Sequence, residues 1–105
     1  MNINSEYAGG RLTACLSGEL DQHQARGAMR RMDELLDAYL PRDLVLDLSG
    51  LQFMDSSGIA LFIRLSRRMK TMGGRMWIEN PSAQPKRVID AAGIDRLIPV
   101  AARSL

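Results

Sequence analysis

The apolar residues of this chain change spacing repeatedly, and that alternation is the strongest constraint on its fold. Residues 2 to 7 and 11 to 17 flank the turn "AGG". In the second segment Leu12, Ala14 and Leu16 alternate with Arg11, Thr13, Cys15 and Ser17, the two-residue period of a strand with one better-buried face. From His23 to Tyr39 the spacing opens to three and four, through Ala25, Ala28, Met29, Met32, Leu35 and Leu36. This predicts an amphipathic helix, stopped before Pro41 because a residue preceding proline avoids helical angles. "DLVLDLS", 43 to 49, reads as a central strand interrupted by Asp47, and "GLQFMD" as a loop. The helical period returns from Ser57 and ends at Gly73-Gly74. "RMWIE" reads as a strand. "PSAQPKRVIDAAG" reads as a helix with Ser82 as cap, Pro85 in its first turn and Gly93 as its stop. "RLIPV" predicts a last short strand.

The order β-β-α-β-α-β-α-β predicts an α/β fold with a mostly parallel sheet and right-handed crossovers. The opening hairpin adds an antiparallel edge strand. With 105 residues, no internal repeat and no linker, one domain spanning 1–105 is expected. Apolar residues make up 46% and charged residues 25%, which fits a globular core and argues against disorder. No run reaches transmembrane length, and "MNINSEYAGG" lacks the basic and apolar regions of a secretory signal. A cytoplasmic protein without a membrane partner is therefore expected. Cys15 is the single cysteine, so neither an internal disulfide nor a cysteine-built zinc site is available.

In parallel sheets, functional sites gather beyond the carboxyl ends of strands, which is where Asp55-Ser56-Ser57-Gly58 falls. Asp and Ser are good helix caps, but one cap does not account for three such residues followed by a glycine that weakens a helix. A capping role and an exposed, modifiable hydroxyl both remain open. A catalytic serine is disfavoured: the flanks are not G-x-S-x-G, and His23 is the only histidine. Phosphate-cradle glycine motifs and metal-ligand clusters are absent, so no cofactor is expected. Arg64, Arg67, Arg68, Lys70 and Arg75 give a local positive excess. It reads as a solvated helix face, or as a match for an acidic protein surface. Without stacking aromatics or a recognised motif it does not indicate nucleic acid. A phosphoacceptor serine fits the physics: a helix N-terminus tolerates a dianion, and the added charge alters a docking surface.

"LVLDLSGLQFMDSSGIALFIRL" together with "LSGELDQHQA" resembles the anti-sigma factor antagonists of the STAS domain family, with a pattern most similar to the sporulation branch that frees sigma factor F. The resemblance implies a non-enzymatic switch that binds an anti-sigma factor serine kinase while unphosphorylated. It implies phosphorylation on Ser56, reset by a phosphoserine phosphatase, with Ser57 as the neighbouring cap hydroxyl and Asp55 holding the loop. Asp21 and His23, in the segment containing Gly18-Glu19-Leu20-Asp21, become candidate contacts beside Gly58; Asp21 equally suits a helix cap. The free protein is expected to be monomeric. The family usually carries a further C-terminal helix, whereas only "AARSL" follows the last predicted strand here. The same fold also serves as a scaffold in stress-signalling complexes and as a regulatory subunit of a lipid-transport ATPase, the alternative reading. Nucleotide binding rests only on the loop's position over a parallel sheet.

Overall fold

The computed structural model describes residues 1–102. Strands β1 (Asn2–Ala8), β2 (Arg11–Leu20), β3 (Asp43–Met54), β4 (Arg75–Glu79) and β5 (Val100–Ala101) form one sheet in the order β1-β2-β3-β4-β5. β1 runs antiparallel to β2, and every later neighbour pair is parallel. The α/β architecture and antiparallel edge are as the periodicity predicts. Helices α1 (Gln22–Tyr39), α2 (Ser56–Thr71) and α3 (Ala83–Ala92) connect successive parallel strands.

Because the strand order is sequential, right-handed crossovers carry every connecting helix onto the same face. The packing agrees. Leu44, Leu46 and Leu48 share one buried cluster with Met32 and Leu36 of α1, Phe62 and Leu65 of α2, and Ile89 of α3. The result is two layers. On the opposite face, Val45 and Trp77 are buried outside that cluster. The Arg11 guanidinium lies 4.8 Å from the Trp77 ring centroid, and Arg75 lies 5.9 Å away. Trp77 Nε1 donates to Glu79 Oε2 at 2.7 Å.

Three boundaries differ from the sequence reading. β3 continues through "GLQFM" to Met54, because two register shifts against β2 let Leu51 and Met54 face the core at a spacing of three. β2 likewise extends to Leu20, so Gly18-Glu19-Leu20 is strand rather than loop. The last short strand is present but shifted, since of "RLIPV" only Val100 belongs to it. A 3-10 turn over Ile94–Arg96 buries Ile94 and Ile98, leaving only Val100–Ala101 to pair with β4. Gly93 does end α3, with φ 68°. The expected lack of a C-terminal helix concerns residues after 102, outside the described residues.

At the amino ends of the parallel strands, Asp43 is fully buried. Its carboxylate accepts from Arg42 at 3.0 Å and from Arg75 Nε at 3.1 Å, with Arg11 at 3.5 Å. Arg11, Asp43 and Arg75 are register partners, so one carboxylate ties three strands. The Arg42 hydrogen bond holds this carboxyl below its ordinary range, against the opposing effect of burial, and Arg75 adds to the lowering. A depressed folded-state value gives stability present above the unfolded carboxylate value of about 3.9 and lost as pH falls through the folded value. Asp43→Asn should therefore lower the melting temperature at neutral pH and flatten its fall below about pH 4. Thermal melts across that range check this, and an unchanged acid slope would contradict it.

Candidate functional site

Leu20 and Met54 are register partners at the ends of β2 and β3, so the two strand-to-helix junctions lie side by side. Each junction is one aspartate long. Asp21 caps α1: its Oδ1 accepts from the amides of His23 at 2.9 Å and Gln24 at 3.0 Å. Asp55 caps α2, its Oδ1 accepting from the Ser57 amide at 2.8 Å. The Asp55 amide in turn donates to the Leu20 carbonyl at 3.2 Å, joining the two junctions. The helix amides that the aspartates satisfy would otherwise lack partners.

This arrangement corrects the expected role of Ser57, since Asp55 is the cap and α2 begins at Ser56. Ser56 is exposed in the first turn. Ser57, half-buried, lines a groove between α1 and α2 with Arg26, Arg30 and Arg64. Ser56 instead lines a groove between α2 and α3. The two hydroxyls thus point to different surfaces. Gly58 is buried under the strand ends; a Cβ there would lie 2.7 Å from Met54 Cε and 3.1 Å from Leu20 Cδ2. Close approach of α2 to the sheet is what this glycine provides. His23 is exposed in the first turn of α1, beside the Asp21 cap.

Some contributors carried no local signal. Gln84 of α3 clasps the last residue of β3: its Oε1 accepts from the Met54 amide at 2.9 Å, and its Nε2 donates to the Met54 carbonyl at 3.0 Å. Ser82 precedes α3 but makes no side-chain cap; its hydroxyl donates to the Leu51 carbonyl. α3 thereby braces the strand end that presents Ser56. Phe53 is 39% exposed beside Glu19, giving the loop an apolar neighbour. The positive run on α2 is partly consumed inside the fold, because Arg68 bonds Asp33 at 2.7 Å and also Asp37, joining α1 to α2.

Among the described residues no group of three or more His, Cys, Asp or Glu side chains is placed to hold a metal ion. The Cys15 thiol is pushed up first by burial and then by Asp47 and Glu6, which disfavours a thiolate nucleophile. Among the described residues no helix is long and apolar enough to cross a membrane. What the geometry offers is a presented hydroxyl on a rigid, doubly capped corner.

The STAS domain model matches residues 2–104. The chain belongs to the STAS domain family. Among its STAS relatives, an anti-sigma F factor antagonist of Paenibacillus polymyxa is 32% identical over 100 residues, 95% of this chain and 86% of the relative. The anti-sigma-B factor antagonist of Bacillus subtilis (strain 168) is 27% identical, over 99% of this chain and 95% of its own length. The STAS fold also superposes on the unphosphorylated anti-sigma factor antagonist SpoIIAA with a TM-score of 0.80 at 24% identity. That alignment covers 95% of this chain and 88% of the other.

Proposed function

We propose that this STAS domain is a cytoplasmic anti-sigma factor antagonist, not an enzyme, switched by phosphorylation of Ser56. Unphosphorylated, it docks through the Asp21–His23 and Asp55–Gly58 junctions onto an anti-sigma factor that is also a serine kinase, and the bound sigma factor is released. The kinase supplies ATP and phosphorylates the Ser56 hydroxyl; a phosphoserine phosphatase restores the docking form.

The observation that carries this reading is the exposed Ser56 in the first turn of α2, held beside Asp21 by two capped junctions. The names of the relatives supply the partner class. Half-exposed Phe53 gives the docking surface an apolar anchor. A phosphate adds about −1.5 to −2 charge at neutral pH, next to Asp55 and Asp21. Within an interface that charge is repelled by those carboxylates and must also be desolvated, so the partner is lost while the fold persists.

Adding the unphosphorylated protein to a preformed complex of the cognate anti-sigma and sigma factors should free the sigma factor on size-exclusion chromatography. A sigma factor that stays bound under saturating antagonist would overturn the proposal.

A further inference from the structure

Phosphate at a helix start ordinarily takes the free backbone amides of the first turn. Here two of those amides are in use. The Ser57 amide donates to Asp55 Oδ1 at 2.8 Å, and the Gly58 amide donates to the Asp55 carbonyl at 3.0 Å. A dianion on Ser56 would meet an occupied cap and the negative charge of Asp55, with Asp21 on the adjoining junction. With the cap occupied, a cationic side chain is the stronger source of compensation.

The open groove that Ser56 lines, about 550 Å³, is formed with Ile59, Gln84, Arg87 and Val88, and Arg87 is the cation in its lining. Gln84 is committed to the Met54 backbone. Arg87 is exposed and, among the described residues, enters no ion pair, whereas its neighbour Lys86 holds Asp90 at 2.8 Å. The α3 backbone beneath Arg87 is pinned to the end of β3 through Gln84 and Ser82. An unpaired guanidinium on a fixed helix beside the acceptor hydroxyl suits two-pronged phosphate binding.

We infer that Arg87 is the intramolecular counter-ion of phosphoserine at position 56, so that the phosphorylated form closes an α2–α3 ion pair absent from the unphosphorylated one. This rests on the reading of Ser56 as the phosphoacceptor. The pair holds the phosphate over the α2–α3 groove and away from the α1–α2 groove lined by Ser57 and Arg64. It also fixes the orientation in which a phosphatase meets the modified side chain.

The test uses the full chain with phosphoserine genetically encoded at position 56 and its phosphorus resonance titrated at low salt. A free phosphoserine has its second pKa near about 6, and a nearby cation lowers it. The second pKa should be lower in the wild-type background than in Arg87→Gln by about half a unit or more, with Arg87→Lys between them. Arg64→Gln, a charge loss on the other groove, should leave it unmoved. Equal values with and without Arg87, or an equal shift in Arg64→Gln, would overturn the inference. Because the phosphate is encoded, the titration is independent of any kinase. Failure of a kinase to modify Ser56 would remove the proposed switch without altering this result.

Discussion

Ser56→Asp should weaken binding to the cognate anti-sigma factor by about 30-fold or more, equivalent to about 2 kcal/mol, while Ser56→Ala stays within about threefold of wild type. The contrast follows from position. Ser56 is exposed and, among the described residues, its hydroxyl enters no hydrogen bond, so alanine removes nothing structural. Aspartate brings a third carboxylate to a corner already holding Asp21 and Asp55, where like charge and desolvation together cost several kcal/mol in a closed interface. Aspartate carries only part of a phosphate's charge, so true phosphorylation should weaken binding further. Calorimetry on the three proteins measures this, and thermal melts should show all three equally folded. Equal affinities for the alanine and aspartate variants would contradict the electrostatic switch.

Gly58→Val should destabilise the protein by about 2–3 kcal/mol, a fall in melting temperature of about 10–20 °C, and should reduce partner binding with it. The cause is the seat of α2. A Cβ at this position already crowds Met54 Cε at 2.7 Å and Leu20 Cδ2 at 3.1 Å, and both residues are fully buried. The branched methyls of valine would push the helix start off the strand ends and carry Ser56 with it. Gly58→Ala is the informative comparison. The Met54 methyl terminates a flexible side chain that can shift, and alanine improves helix propensity by about 1 kcal/mol. Its net effect should stay within about 1 kcal/mol of wild type. Denaturant unfolding separates the two variants, and a valine tolerated as well as alanine would contradict this account of the glycine.

These two positions also mark how far the sequence could be read. The alternating periods identified the layered α/β fold, the antiparallel edge and the placement of Asp55–Gly58 beyond a strand end, because those features are written in residues close along the chain. The extent of β3 was not legible. Its period of two breaks at Gly50, and only the register shifts against β2 show that Leu51 and Met54 still face the core. Gly58 stood out as a helix-weakening residue, but its reason lies in Leu20 and Met54, one of them on another strand. Asp55 and Ser57 are both good caps by type, and only the backbone decides for the aspartate. Gln84 and Arg87 gave no signal at all, since a glutamine and an arginine on an amphipathic helix look like ordinary surface until α3 is docked against the end of β3. "RLIPV" has strand composition, yet Ile94 and Ile98 are both buried through a tight turn instead.

Most directly, the central claim is tested by locating the phosphate. Incubation with the cognate anti-sigma kinase and ATP, followed by peptide mass spectrometry, should place a single phosphate on Ser56, with the modified protein no longer co-eluting with the kinase. Phosphate on Ser57, or a Ser56-modified protein that still binds with undiminished affinity, would contradict it.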